Sequence, residues 1–555
     1  ANLSGDGTIS AASADAELTV DGAGTITVDG VEADINAANF SGDSLTINTS
    51  ALTGSGTNGN NVPAMEIVVG TTNTTVNGDD SVSGDKDVID IRVDGSNLAG
   101  QDGEVLTLQG DAEYVIENNN KDAVLTLDIS GIADDNEVTL EGSGDFELTG
   151  TSADVNAESL TGEVTVRTKD DGSPDQITVT AGTGKTTVDA KDSNDEINLD
   201  AGNLVDDRVD TRNSQGEILE VVALGSGDVN VTDLKADVDA TALLGDLDIT
   251  RGQITGGAKD DVDIQLGAGN AVIDAASATA LTFVDATVLG SGNTLTLRGD
   301  NTPYLVTELG SSTTVDATGG PGGSVMTGIL DIETKLNATG VTVKTGDDAT
   351  SVTSNGGSAT IDATELNAET LTLSGSSTLT ANNVENDVDA GSTTGDVTVN
   401  TSGITGVDST TEKLIITGGT GTLTVSGDDS LDADTGILDI KIQADNLSDS
   451  GAGTDLTLTG DAEYVIDSDA SSGEVTIDAS GLDVSGGITL TGTGDFRLVN
   501  TTRDVEAPNL SGKLTVATAG SGTEDDITVT AGTGQLEVEA TDSSDDIIVK
   551  AANLI

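Results

Sequence analysis

Acidic side chains gather in short clusters that also hold the glycine, asparagine and serine typical of turns. Carboxylate and amide oxygens in turns are the ligands that suit a hard cation such as Ca²⁺. The candidate metal ligands are Asp79, Asp80, Asp192, Asn194, Asp195, Glu196, Asp260, Asp261, Asp263, Asp428, Asp429, Asp542, Asp545 and Asp546. The alternative for any single cluster is a solvated turn that holds no ion. Ca²⁺ is therefore the expected cofactor, and both interpretations of each cluster stay open.

Most other site chemistry is excluded by the residue types. The chain has no histidine and no cysteine, which removes most general bases, nucleophiles and transition-metal ligands. Two acids could still hydrolyse a glycoside, but four Phe, three Tyr and no Trp offer almost no aromatic platform for a sugar. The stretch AGTGK at Ala181 is followed by a strand pattern, so it predicts a turn and no phosphate-binding loop. We therefore expect that this protein is not an enzyme.

The charge limits the partners. The 97 acidic residues against 21 basic ones give a net charge of −76, which excludes nucleic acid and disfavours anionic membrane surfaces. No apolar run is long enough to cross a bilayer, so direct membrane insertion is not expected. Such self-repulsion requires counterions or bound divalent cations.

A long internal repeat organises the chain. The heptapeptide GDAEYVI at Gly110 returns unchanged at Gly460, 350 residues later, and ITVTAGTG at Ile177 returns at Ile527. The repeat predicts a first copy at residues 1–204, a part seen once at 205–349 and a second copy at 350–555, all within a longer polypeptide. Tyr114 and Phe146 match Tyr464 and Phe496, and we expect these aromatics to fill the core in preference to forming lateral contacts.

A shorter motif opens each unit inside the repeat. It reads Asp, aliphatic, Asp/Asn/Glu, Ala, and it is followed by a glycine, a β-branched triplet and then, in four of five cases, a small-residue turn. The motif begins at Asp34, Asp154, Asp237, Asp387 and Asp504. In the second of these units the pattern places strand centres near Val155, Val164, Ile177, Val188 and Ile197.

These features predict an all-β chain built as a repetitive parallel β-solenoid or β-roll of short coils. With 71 glycines and few aromatics, the core must be thin and aliphatic, which fits stacked coils better than a β-sandwich. Sandwich-like insertions remain an alternative. Disorder fits poorly, because only five prolines occur and Val, Ile, Leu and Thr alternate between turn residues.

The turns resemble the nonapeptide repeats of RTX proteins, which bind Ca²⁺ between coils of a parallel β-roll. The most similar stretches are DDVDIQLGAGNAVIDA from Asp260 and QITVTAGTGKTTVDA from Gln176. They depart from the RTX pattern at Ala271 and Thr186, where a liganding Asp would stand. As a whole, the chain resembles bacterial surface-layer proteins and large type I-secreted adhesins.

The resemblance implies a secreted, cell-surface protein that folds with Ca²⁺ and self-assembles into a lattice or filament. The alternative is the stalk or repeat region of an adhesin that binds surfaces or glycans. The expected partners are further copies of the chain, and cell-surface polysaccharide is a second possibility.

Overall fold

The computed structural model describes residues 2–3, 5–11, 17–50, 52, 63–80, 89–121, 123–133, 136–204, 221–251, 262–275, 281–300, 302–320, 324–367, 369–404, 413–429, 438–447, 453–483, 486–519, 526–540 and 546–550. The chain divides into two compact units, Ala1–Ala280 (unit 1) and Leu281–Ile555 (unit 2). Strands and turns make up the described part, and no α-helix occurs there.

The strands are short, and most of them span four to seven residues. Those of unit 1 are β1 Asn2–Leu3, β2 Gly7–Ser10, β3 Leu18–Thr19, β4 Asp21–Gly22, β5 Thr25–Val31, β6 Ile35–Asn36, β7 Ser44–Thr49, β8 Met65–Val68, β9 Thr74–Gly78, β10 Ile91–Asp94, β11 Leu106–Gly110, β12 Tyr114–Asn118, β13 Val124–Ile132, β14 Glu137–Gly142, β15 Asp145–Thr151, β16 Asp154–Asn156, β17 Val164–Thr168, β18 Gln176–Thr180, β19 Thr186–Ala190, β20 Glu196–Asp200, β21 Val221–Gly225, β22 Asp228–Leu234, β23 Val238–Leu243, β24 Leu247–Arg251, β25 Val262–Gln265 and β26 Ala271–Asp274.

Unit 2 repeats the same pattern of short strands. They are β27 Thr282–Asp285, β28 Thr294–Arg298, β29 Tyr304–Leu309, β30 Thr314–Asp316, β31 Leu330–Thr334, β32 Val341–Lys344, β33 Thr350–Ser354, β34 Ser358–Asp362, β35 Leu371–Gly375, β36 Thr378–Val384, β37 Val388–Thr393, β38 Val397–Thr401, β39 Leu414–Thr417, β40 Leu423–Gly427, β41 Ile440–Gln443, β42 Leu456–Gly460, β43 Tyr464–Ser468, β44 Glu474–Leu482, β45 Ile488–Gly492, β46 Asp495–Thr501, β47 Val505–Leu510, β48 Leu514–Thr518, β49 Asp526–Thr530, β50 Leu536–Glu539 and β51 Asp546–Lys550.

Each unit is a β-solenoid, as the sequence predicts. From β5 to the end of unit 1, each strand pairs in parallel with the strand two places further along, as β12 with β14 and β18 with β20. The same rule holds through unit 2, for example from β41 to β43. One coil therefore contributes one strand to each of two parallel sheets. All pairings within the described ranges are parallel, which is the arrangement of a solenoid and not of an antiparallel sandwich.

The core consists of columns of register-matched side chains that run from coil to coil. One column of unit 1 passes through Met65, Ile91, Tyr114, Val138, Val155, Val179, Leu199, Val231, Ile249 and Ile273, all of them buried. Strand residues alternate between this core and the surface, because successive side chains point to opposite faces. The five predicted strand centres of the unit from Ala153 all fall within β16 to β20.

The aromatic residues fill this core, which confirms the sequence-based expectation. Tyr114 and Phe146 are at most 2% exposed, and so are Tyr464 and Phe496. Each stands inside a column of aliphatic residues, as Phe146 does between Leu125 and Val164. A large apolar side chain gains most from such burial.

Stacked glycines form one corner of the coil. Gly184 lies over Gly162, and Gly162 lies over Gly144, so closely that a Cβ at either position would overlap the carbonyl group of the glycine below. Gly269, Gly245 and Gly227 form a second such stack. These are the motif glycines and the small-residue turns of the sequence, and the corner requires them because the backbones approach without room for a side chain.

The motif aspartates bond one coil to the next. In all five motifs the first Asp accepts a hydrogen bond from a backbone N–H of the following coil, at 2.6 to 2.8 Å. The residue two places later caps its own turn in four of the motifs: Asn36, Asn156, Asp239 and Asp389 each accept the N–H two residues further on. Much of the acidic composition is therefore used in backbone hydrogen bonding.

Candidate metal centre

The candidate centre lies at a corner where two successive coils of unit 1 turn from one sheet to the other. Gly78 and Gly110 end β9 and β11 and are register partners. The chain re-enters the other sheet at Ile91 and at Tyr114, which are register partners as well. The residues just before these strands, Asp90 and Glu113, are therefore stacked one coil apart.

Three carboxylates converge at this corner. One oxygen from each of Asp80, Asp90 and Glu113 lies within 4.8 Å of the other two. Asp90 is 1% exposed and Glu113 is 6% exposed, whereas Asp80 is half-buried. Two of the three acids are thus removed from water, where an ionised carboxylate needs a compensating partner.

Backbone and tyrosine hydrogen bonds fix the corner. The Glu113 N–H donates to Asp90 Oδ2 at 3.2 Å, and the Asp80 N–H donates to Asp111 Oδ1 at 3.0 Å. Beneath them, the Tyr114 hydroxyl accepts the Gly78 N–H at 2.8 Å and donates to the Gln109 carbonyl at 2.7 Å. These hydrogen bonds hold the three carboxylates next to the strand ends.

Burial alters the protonation of Glu113. Desolvation, reinforced by a hydrogen bond to Asp90 and by the negative charges of Asp90 and Asp80, raises the pKa of Glu113 to about 8. Its Oε2 atom is buried and accepts no hydrogen bond. Without a cation, the Glu113 carboxyl keeps its proton at neutral pH.

An open polar groove lies on the Asp79 and Asp111 side of the same corner. It has a volume of about 540 Å³, and its walls include Asn77, Asp79, Asp111 and Ser130. The residues that line the groove do not include Asp80, Asp90 or Glu113.

Unit 2 contains a corresponding corner that differs at the position after Glu463 in register. The Glu463 N–H donates to Asp439 Oδ2 at 2.9 Å, and the Asp429 N–H donates to Asp461 Oδ1 at 2.9 Å, as in unit 1. The residue that follows Glu463 in register is Gly487, and a Cβ there would overlap the Glu463 carboxylate.

Glu137 occupies the corresponding position of unit 1, beside Glu113. Across the described part of the chain, only the unit 1 corner brings three carboxylates together. In unit 2 the Glu463 carboxylate fills the space beside Gly487. In unit 1 the side chain of Glu137 lies at this position, and its Oε1 atom accepts a hydrogen bond from Asn156 Nδ2 at 3.3 Å.

The other predicted ligands are placed separately. Asp195 is buried and accepts bonds from Thr168 Oγ1 at 2.5 Å and from the Asp175 N–H at 3.0 Å. Asp192 accepts the Gly172 N–H at 2.6 Å. Both residues therefore stabilise turns through hydrogen bonds. Burial raises the pKa of the nearby Asp175 carboxyl.

Four further predicted ligands lie in turns or on strands. Glu196 begins β20, and its carboxylate accepts hydrogen bonds from the side-chain amides of Gln176 and Asn230, both at 2.9 Å. Asn194 lies exposed in the preceding turn. Asp263 lies on β25, and its N–H donates to Asp237 Oδ1 at 2.8 Å. Asp546 is the exposed first residue of β51.

Asp79 and Asp428 occupy equivalent corner positions in the two units. Their N–H groups donate to Thr49 Oγ1 and Thr401 Oγ1 at 2.9 and 2.8 Å. Four predicted ligands, Asp260, Asp261, Asp542 and Asp545, lie outside the residues that the structure describes.

The RTX-like turns differ from a metal-binding roll at the two noted positions. Ala271 and Thr186 are the first residues of β26 and β19, and both side chains are buried in the core. A liganding Asp there would face aliphatic residues.

Sequence reasoning identified Asp80 as a ligand candidate and missed Asp90 and Glu113. Asp90 stands ten residues after Asp80, and Glu113 stands in the next coil, so only the pairing of Ile91 with Tyr114 brings them together. The available signal was the unchanged heptapeptide GDAEYVI, which contains Glu113 and Glu463.

Comparison with protein-family models, with curated proteins and with solved structures found no match to this chain. No helix within the described ranges has the length and hydrophobicity to cross a membrane.

Proposed function

We propose that this protein is a secreted, extracellular structural protein that self-assembles into a cell-surface layer or filament stabilised by divalent cations. The observation that carries the proposal is the continuous coil-to-coil bonding within each unit. Strand ladders, aliphatic columns and motif aspartates all join one coil to its neighbours. The repeated motifs are used to extend a scaffold, which is the expected property of a building element.

The charge supports a role for cations. A net charge of −76 opposes close contact between copies of the chain unless cations lie between their surfaces. Carboxylates at turns and corners offer oxygen ligands for Ca²⁺ or Mg²⁺. Outside the cell, where Ca²⁺ is abundant, binding would favour the folded and assembled state by mass action.

Electron microscopy and circular dichroism of the purified chain, in millimolar Ca²⁺ and in excess chelator, test the proposal. We expect ordered sheets or filaments with Ca²⁺ and dispersed particles without it. Dispersed particles in both conditions would contradict self-assembly and would support the stalk of an adhesin instead.

A further inference from the structure

We propose that Asp80, Asp90 and Glu113 form a Ca²⁺ site that joins two successive coils of unit 1. This inference deepens the cation dependence of the proposed function and can fail independently of it. The site includes two residues, Asp90 and Glu113, that no sequence pattern selected.

The spacing of the oxygens suits a calcium ion. Ca²⁺–oxygen bonds are about 2.4 Å long, so two ligands of one ion lie at most about 4.8 Å apart. The three carboxylate oxygens meet this limit. Water would complete the six to eight ligands of Ca²⁺.

The buried state of Glu113 points to a ligand independently of the clustering. Its Oε2 atom is buried, accepts no hydrogen bond and belongs to a side chain that is only 6% exposed. A buried acceptor without a donor destabilises the folded state, and more so when it is charged. A divalent cation would supply the missing partner of this oxygen and would compensate the negative charges of the neighbouring Asp80 and Asp90.

The site would act as a clamp between coils. Asp80 and Asp90 belong to one coil and Glu113 to the next, and their strands are already paired in register. A cation that binds only the folded arrangement stabilises it by mass action.

Unit 2 supplies a matched control. Asp429, Asp439 and Glu463 share the backbone geometry, but Glu463 lies against Gly487 and the three acids do not converge. We therefore expect Ca²⁺ to bind the unit 1 corner and not its counterpart.

Calcium titration of the full chain by calorimetry, with Glu113→Gln beside Glu463→Gln, tests the site. We expect E113Q to lose one equivalent of tightly bound Ca²⁺, whereas E463Q binds as the wild type does. Equal stoichiometry and affinity in E113Q and the wild type would overturn the proposal. Circular dichroism in chelator verifies that each variant is folded.

Terbium luminescence gives a second, local readout. The chain has three tyrosines, so in a Tyr304→Phe, Tyr464→Phe background all tyrosine-sensitised Tb³⁺ emission arises next to Tyr114. We expect strong emission that excess Ca²⁺ displaces and that D90N abolishes. Emission that is unchanged in D90N would contradict the site.

Glu137→Gly tests why the two corners differ. The substitution gives unit 1 the glycine of unit 2, so Glu113 gains the space that Glu463 uses, and we expect Ca²⁺ affinity to fall roughly tenfold, as for the loss of a supporting contact. Affinity equal to that of the wild type would overturn this explanation of the difference.

If E113Q loses the ion yet sheets still form with Ca²⁺, the proposed function stands and the clamp acts within unit 1 only.

Discussion

Aspartate serves this chain in three ways that depend on the length of its side chain. The motif Asp reaches the N–H of the next coil, Asp239 and Asp389 cap their own turns, and Asp80 and Asp90 turn towards Glu113. Parallel strands lie about 4.8 Å apart, a gap that one short carboxylate spans with little loss of rotamer freedom. The excess of Asp therefore reflects its use in hydrogen bonding.

The inter-coil bond of Asp154 can be tested by substitution. Asp154→Ala leaves the Thr178 N–H without its acceptor at 2.8 Å, and we expect a loss of about 1 kcal/mol in the free energy of unfolding. Asp154→Asn keeps a side-chain oxygen and should lose less. Urea unfolding measures both, and the exposed Asp170→Ala serves as the control. Equal stability of D154A and D170A would contradict the role assigned to Asp154.

The pKa of Glu113 predicts a pH dependence of stability in metal-free buffer. A pKa near 8 in the folded state, against 4.5 for an ordinary glutamate, means that unfolding releases a proton between these values. Stability from this group is therefore full below about pH 4.5 and decreases as the pH rises towards 8. We expect Glu113→Gln to remove this component in urea unfolding from pH 5 to 9.

The exposed Glu158→Gln is the control for that series. It should keep the pH profile of the wild type, since Glu158 lies in a solvated turn. A wild-type profile in E113Q would show that Glu113 titrates normally.

At the scale of the element, strand positions follow from the sequence more readily than sites do. The alternation of Val, Ile and Thr between Gly and Asp turns located β16 to β20, because alternation and turns are local properties. The stacking of Asp90 on Glu113 depends on which strand ends meet after intervening residues of variable length. The spacing of residues along the chain does not show which strand ends meet. It also does not show that Asp192 and Asp195 accept hydrogen bonds from backbone N–H groups.

The stacked glycine corner predicts a strong effect of one methyl group. At Gly162→Ala the new Cβ would lie 2.6 Å from the carbonyl carbon of Gly144, so the coils must separate locally. We expect a loss of about 1–3 kcal/mol in thermal or urea unfolding, as for overpacking. Gly310→Ala is the control, because a Cβ there meets nothing within 4 Å. Similar melting of both variants would argue against close packing at the corner.

At the scale of the whole molecule, the balance of charge dominates. With 97 acidic and 21 basic residues, the basic residues are too few to pair with most carboxylates. Some of them bridge coils, as Arg92 does to Glu117 and Glu141. Neighbouring coils therefore repel one another across their turns. The aliphatic columns and backbone ladders must overcome this repulsion.

Salt should stabilise the metal-free protein. Raising NaCl from about 0.01 M to about 0.5 M shortens the screening length from about 30 Å to a few ångströms. We expect the melting temperature to rise over this range in chelator, and to rise less when Ca²⁺ is present. Differential scanning calorimetry measures both series. A melting temperature that falls with salt would indicate that attractive ion pairs outweigh repulsion.

The pairing of each strand with only its two sheet neighbours has a mechanical consequence. Tension along the stack loads the backbone ladder one coil at a time, since in the described part of each unit a strand pairs only with the strands of the coils directly before and after it. At the 20-residue step between Ile177 and Ile197, each released coil lengthens the chain by roughly 70 Å. We therefore expect such a solenoid to unfold under tension in small, separate increments and to dissipate work coil by coil.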